Sequence, residues 1–228
     1  MKNTLLILAV FLLPILSYSQ SDDFQGTIKY EFSYEGEGAD YMAMIGFSDC
    51  HYYFGDKKFR LSLNGGMGSF LNDFIVDIAT DKTVMIDDDN QIVYTIEDDP
   101  ADEVESTAEV VVETTKVKEK IMGYKCLKYI VTETTDSSET VTEYWTTTKI
   151  NVNTAADIGF VSALSIQGVA GFPLRIVTTS YGLTMTQEAT FISDDPPSKY
   201  KFEIPSTYAA KDFSESPLMQ LVNEEEEE

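Results

Sequence analysis

The chain has 228 residues, of which 16 are Lys or Arg and 39 are Asp or Glu, so its formal charge is −23. Thr, Val, Ile and aromatic residues, which favour a pleated and half-buried sheet surface, make up more than a third of the chain. A hydrophobic content of 43% is enough for one sizeable core. The overall acidity argues against nucleic acid and anionic membrane surfaces as partners, because phosphate binding needs clustered Lys and Arg.

The first segment is typical of a secretory signal peptide. Lys2 precedes an apolar run from Leu5 to Leu16, and a small-x-small cleavage site ends at Ser19. A run of about a dozen residues is shorter than the roughly 20 needed to span a bilayer. We therefore expect residues 1–19 to be a signal peptide and the mature chain to be exported without a transmembrane anchor.

Two cysteines, Cys50 and Cys126, lie in the exported part. An oxidising compartment permits a disulfide between them, which would stabilise the fold by about 4–5 kcal/mol in the loop-entropy model. The alternative is that both are buried thiols that pack as small hydrophobic groups. Spacing in the sequence does not decide between the two.

Hydrophobic periodicity predicts about ten strands in the mature chain. Residues 27–34 alternate strictly between polar and apolar, as in a strand with one solvent-exposed face. The next run, 41–47, is apolar on both faces of an extended chain. Tight turns between the runs are typical of antiparallel hairpins. Further strands are predicted over 59–63, 74–79, 83–86, 91–96, 110–117, 126–133, 140–148, 174–181, 183–193 and 201–204.

The pattern predicts one domain over residues 20–208. Its fold class is mainly β, a single antiparallel and strongly curved open barrel, with one short helix packed on it. That helix is predicted over 155–167, where apolar residues recur at helical spacing. The acidic segment 97–109 is predicted to be a solvated loop. Residues 209–228, which end in five glutamates, are predicted to be an acidic, disordered tail.

The sequence contains no recognisable catalytic or metal-binding motif. The single histidine, His51, stands among aromatic residues without the spacing of zinc ligands. The segment 87–90 lacks the glycine and glutamate of a calcium loop, although weak surface binding of calcium remains open. We therefore expect no enzyme activity, no cofactor and no metal site.

Three motifs and the start of the mature chain carry a resemblance to a known family. In order, they are the Gly-Tyr-Lys-Cys-Leu-Lys-Tyr of 123–129, the Glu-Tyr-Trp-Thr-Thr of 143–147 and the Gly-Phe-Pro-Leu of 171–174, preceded by Phe24, Gly26, Ile28 and Tyr30. They resemble exported Bacteroidetes proteins of domain-of-unknown-function family 4412. The resemblance covers residues 24–204 and implies a relation to the LolA and LolB lipoprotein carriers. Those carriers have an open antiparallel half-barrel with helices over its mouth. The resemblance also implies that this chain is periplasmic or secreted in a Gram-negative bacterium.

The expected function is that of an exported, non-enzymatic, periplasmic binding protein for an apolar ligand, such as a lipid, an acyl chain or a lipidated partner. The alternative is a structural or interaction protein of the cell envelope that binds no small molecule and uses an exposed sheet edge or the acidic segment. Expected partners are thus a lipid, a lipoprotein or an envelope protein. Alternation along a strand shows which residues share a face, but it does not show which face of the sheet is concave. The candidate ligand-facing residues are Tyr30, Phe32, Met42, Met44, Tyr94, Trp145, Phe160, Leu164 and Phe172.

Overall fold

The computed structural model of the protein describes residues 23–66, 68, 73–80, 82–96, 108–152, 164, 166–217 and 219. They form twelve strands, one short α-helix and two one-turn 3-10 helices at Lys199–Phe202 and Phe213–Glu215. The α-helix, α1, spans Ala39–Ile45. The strands are β1 (Gly26–Gly36), β2 (Asp49–Phe54), β3 (Lys58–Asn64), β4 (Asp73–Asp77), β5 (Lys82–Asp87), β6 (Ile92–Ile96), β7 (Glu109–Ile121), β8 (Tyr124–Thr134), β9 (Glu139–Thr147), β10 (Phe172–Ser180), β11 (Leu183–Ser193) and β12 (Ala209–Asp212).

All twelve strands belong to one sheet. Its order is β12-β6-β5-β4-β3-β2-β1-β11-β10-β9-β8-β7, and every neighbouring pair is antiparallel except β12 with β6. Within the described residues the two end strands, β12 and β7, do not pair with each other, so the sheet is open. The predicted fold class, a mainly β, single, open and mostly antiparallel sheet, is confirmed.

Two of the hairpins are closed by loops of two residues. The β7–β8 loop is Met122-Gly123 and the β10–β11 loop is Tyr181-Gly182, and all four residues have a positive φ between 49° and 84°. Positive φ at both central positions defines the type I′ turn, whose twist matches that of the paired strands. Glycine at the second position adopts a positive φ without a steric penalty, whereas Met122 and Tyr181 at the first position adopt it with some backbone strain.

The sheet buries one of its faces. Across β1–β6 six side chains oppose one another in a single row, and none is more than 4% exposed. Burying a large apolar side chain stabilises a fold by about 1.5–3 kcal/mol, so this row is a main source of stability. The row consists of Ile28, Tyr52, Leu61, Phe74, Met85 and Tyr94.

Contacts that skip strands show how strongly the sheet curves. Phe54 of β2 meets Phe172 of β10 edge to face at 5.8 Å, although β1 and β11 lie between their strands in the sheet. The hydroxyl of Tyr30 donates to the carbonyl oxygen of Pro173 at 2.7 Å, across β11. The buried face therefore closes on itself, and its concave side is filled by aromatic side chains of the chain.

Three local predictions are wrong. The run 41–47 lies mostly in α1, because Met and Ala favour helix and the run lacks the alternation of a half-buried strand. The predicted strand 201–204 falls partly in a 3-10 helix. The predicted disordered tail begins too early, because Ala209–Asp212 forms β12, whose backbone pairs with the edge of β6.

Other predictions lie outside the described residues. These are the signal peptide over 1–19, nearly all of the helix over 155–167, the acidic segment 97–107 and the end of the tail, 220–228. None of the side chains of α1 is fully buried. No helix in the described ranges has the length and apolarity to cross a membrane.

Both cysteines are buried free thiols in the structure, so the disulfide considered from the sequence is not formed. Cys50 is 1% exposed and Cys126 is 0% exposed. Burial raises the pKa of both thiols, because the charged thiolate is disfavoured away from water. The alternative of two packed thiols fits this environment.

We expect Tyr30→Phe to lower the free energy of unfolding by about 1–3 kcal/mol, because the Pro173 carbonyl loses a donor in a buried site. Urea denaturation followed by circular dichroism measures the change. Tyr181→Phe is the matched control, since the Tyr181 side chain is 77% exposed and should unfold like the original protein. Equal midpoints for both variants would show that the buried hydrogen bond contributes nothing.

We also expect both thiols to react with a thiol reagent at pH 8 at least roughly a hundredfold more slowly than free cysteine, since reaction requires local opening. The raised pKa acts in the same direction by lowering the thiolate fraction. In denaturant without reductant, two thiols per chain should react at once. If none reacts until a reductant is added, the protein contains the disulfide instead.

Candidate functional site

The structure places three of the predicted ligand-facing residues on the buried face. Tyr30 and Tyr94 are 0% and 3% exposed, and Phe32 is half-buried. Tyr30 packs edge to face on Tyr52 at 5.6 Å, and Phe32 contacts Phe47 at 5.7 Å. The Tyr30 and Phe32 rings therefore pack against rings of the chain itself, and both residues also border a polar cleft.

Trp145 lies on the opposite face of the sheet from Tyr30. In the sheet, Trp145 lies directly opposite Arg175, Arg175 opposite Glu188, and Glu188 opposite Glu31, so these four side chains share one face. Glu31 is the neighbour of Tyr30 in β1. Neighbouring residues of a strand point to opposite faces. The structure therefore does not bring Trp145 together with Tyr30.

On that outer face, two cations cover the Trp145 ring. The Lys128 ammonium and the Arg175 guanidinium lie 5.5 and 5.6 Å from the ring centre. Arg175 also donates to the carboxylates of Glu188 and Glu119, and these bonds raise its pKa. The indole is 8% exposed because of this cover, so its burial has a structural explanation.

The two predicted methionines lie on α1. Met42 is half-buried, whereas the Met44 side chain is 69% exposed. Phe160 falls outside the described residues. In a strand, Met42 and Met44 would point to the same face, whereas in α1 residues two apart do not.

Leu164 and Phe172 are brought together at one end of the concave face. They are 6% and 3% exposed and border a cavity of about 190 Å³. Phe172 is also in the core through its contact with Phe54. The cavity is lined by Ile150, Asn151, Val152, Leu164, Val169, Gly171 and Phe172.

A second cavity of about 230 Å³ lies beside β8. Alternate residues of that strand, Lys125, Leu127 and Tyr129, point to one face and line it. The sequence identified this strand, but no rule of sequence spacing showed that this face borders a cavity. The full lining is Lys118, Lys125, Cys126, Leu127, Tyr129, Thr146, Thr148 and Ala170.

Residues 166–171 form a wall between the two cavities. Val169 and Gly171 line the smaller cavity, and Ala170 lines the larger one. The Thr146 hydroxyl donates to the Ala170 carbonyl at 2.6 Å and holds the wall against β9. Gly171 has φ +88°, and a Cβ there would lie 2.7 Å from the Thr147 carbonyl oxygen, so the close approach requires glycine.

His51 lies in a polar cleft of about 450 Å³ on the outer face. Its Nε2 is 3.3 Å from the Asp49 carboxylate, and its Nδ1 is 3.3 Å from the Tyr53 hydroxyl. Burial, followed by the charge of Lys29, lowers the pKa of His51. In the described ranges no group of three or more His, Cys, Asp or Glu residues is arranged to hold a metal ion. The contacts on both ring nitrogens account for His51 as a structural residue.

A family model described as "Domain of unknown function (DUF4412)" matches residues 40–208. No curated protein matches the chain. Among solved structures, one entitled "Structure of PNGF-II in P21 space group" is similar in part, with 13% identity and a TM-score of 0.44. The similarity covers 82% of this chain and 31% of that one, so the chain spans about a third of that protein's length.

Proposed function

The chain belongs to the family described as "Domain of unknown function (DUF4412)", and within this family we propose that it is an exported, non-enzymatic protein that binds an apolar ligand. The ligand class is a lipid, an acyl chain or a lipidated partner. The signal-like segment 1–19 supports export to the periplasm or beyond. The open, curved sheet supports the proposed relation to the LolA and LolB lipoprotein carriers.

The observation that carries the proposal is the cavity beside β8. Leu127 and Tyr129 give it an apolar lining, and the lysines at its solvent side are exposed. An apolar cavity of about 150 Å³ is large enough to take up benzene. The 230 Å³ observed here therefore has room for part of an acyl chain.

The wall of residues 166–171 determines how large the site can become. Each cavity alone is smaller than the roughly 300–1,000 Å³ of a typical small-molecule site. If the wall moved, the two would join and fall within that range. The bond from Thr146 to the Ala170 carbonyl is the described contact that such a movement would break.

The packed centre of the sheet supports a ligand site at this end of the sheet. Tyr30 and Phe172 are held in the core by a hydrogen bond and a ring contact. Displacing them would leave the Pro173 carbonyl without that donor in a buried site, which costs free energy. Burying a methylene group of a ligand contributes about 0.8 kcal/mol to binding. In a cavity that is already empty, this contribution is not reduced by the displacement of core side chains.

We expect Ala170→Phe to weaken binding of 1-decanol by at least about tenfold, because the new ring fills the cavity while the backbone carbonyl of residue 170 remains. Isothermal titration calorimetry or native mass spectrometry measures the binding. Ala43→Phe, on the exposed side of α1, is the matched control and should bind normally. If 1-decanol does not bind the original protein, the proposed function fails; if Ala170→Phe binds it normally, this cavity is not the site.

The exposed edge strand β7 supports a second candidate function, a structural or interaction protein of the cell envelope. In the described part of the chain β7 pairs only with β8. Its Val110, Val111 and Val117 side chains are 52%, 54% and 50% exposed. A bulge between Thr114 and Lys118 interrupts the strand, so Glu109–Thr114 is the regular part of the edge. Long apolar edges are templates for another strand.

We expect a photoreactive amino acid at position 111 to give a defined protein adduct in the cell envelope if this second function applies. The same group at position 181, in the exposed β10–β11 turn, is the control and should give none. Adducts are detected by mass spectrometry. The second function is contradicted if both positions give the same adducts or neither gives any.

A further inference from the structure

Positive charge is concentrated in one segment of this acidic chain. Residues 116–128 contain five lysines, at 116, 118, 120, 125 and 128, and a single acid, Glu119, whereas the whole chain has a formal charge of −23. We call this segment the lysine hairpin. It comprises the end of β7, the Met122-Gly123 turn and the start of β8.

The acid and one of the lysines of the lysine hairpin are already paired. Glu119 accepts two bonds from Arg175, at 2.9 and 3.0 Å, and Arg175 holds the pKa of that carboxyl below its usual value. Lys128 lies 2.6 Å from the Glu143 carboxylate. The other four lysines are exposed, and none forms an ion pair with a carboxylate of the described residues. Their charges are therefore not neutralised locally.

Three of these lysines share one face of the hairpin. Lys118 and Lys120 are two residues apart on β7, and Lys125 stands directly opposite Lys120. Like charges directly opposite each other destabilise a strand pair. Although the chain has 39 acidic residues, none of the described ones forms an ion pair with these three lysines.

The same face leads into the cavity beside β8. Lys118 opposes Leu127, and both line the cavity together with Lys125. Tyr129 and Cys126 are buried, at 7% and 0% exposure, while the two lysines are exposed. The arrangement is an apolar lining with two cations at its solvent side.

We propose that the ligand is a single-chain amphiphile with an anionic headgroup, whose tail enters the cavity and whose carboxylate or phosphate is bound by Lys118 and Lys125. The inference rests on the proposed apolar-ligand function and adds the headgroup. An anionic head relieves the repulsion between the lysines and accepts charge-assisted hydrogen bonds from them. A neutral head gains neither, and a cationic head adds to the repulsion.

The test compares ligands that share a ten-carbon chain and differ in the head: decanoate, decyl phosphate, 1-decanol and decyltrimethylammonium. At pH 8 the carboxylate of decanoate is ionised. We expect either anion to bind about tenfold more tightly than 1-decanol, and the cation to bind more weakly than 1-decanol. Raising the salt concentration should weaken binding of the anions and leave 1-decanol unchanged, since exposed charges are screened.

The variant Lys118→Gln/Lys125→Gln should lose the preference for an anionic head, measured as the ratio of its affinities for decanoate and 1-decanol. Lys57→Gln/Lys82→Gln removes the same charge from exposed positions elsewhere and should retain the preference. Comparison of decanoate with decyl phosphate identifies the type of anionic head that binds better.

The outcomes separate the two proposals. If 1-decanol does not bind, the apolar-ligand function itself fails. If 1-decanol binds as tightly as both anions, or if the Lys118→Gln/Lys125→Gln variant keeps the preference, the function stands and the headgroup inference is overturned.

Discussion

Burial of one face of a single open sheet is the constraint on which the other features of the structure depend. A flat sheet would leave the row from Ile28 to Tyr94 in water, so the strands curve until that face meets itself. The contact between Phe54 and Phe172 and the bond from Tyr30 to Pro173 lie where the two halves meet. Aromatic side chains fill the centre of the concave face, and the two cavities beside residues 169–171 lie toward one end of the sheet.

The outer face is stabilised differently, by charges arranged around one aromatic ring. Trp145 lies between Lys128 and Arg175, and their carboxylate partners hold both cations in place. An indole on the solvent side is thereby covered without a second layer of structure. Glu119 is drawn to Arg175 from β7, which ties the edge strand to the interior of the sheet.

The same contact shapes the proposed binding site. Once Glu119 is engaged by Arg175 on one face of β7, the lysines at 118 and 120 point to the other face, toward the cavity. The wall at Ala170 closes the opposite side. The site thus results from the alternation of side chains along two strands at the edge of the sheet. Its cations are Lys118 of β7 and Lys125 of β8, and β8 also supplies the apolar side chains.

The sequence by itself determined the β class, the single sheet, the position of most strands and the family, because alternation along a strand and short motifs are local properties. It did not determine α1 over Ala39–Ile45, and it did not determine β12 over Ala209–Asp212, which depends on a free edge of β6. Nor did the sequence show that Trp145 and Tyr30 point to opposite faces of the sheet. That relation depends on the register of the pairs between β9 and β1, which runs through β10 and β11. Only the tertiary structure decided which apolar residues fill the core and which border a cavity, because empty space depends on how the strands curve.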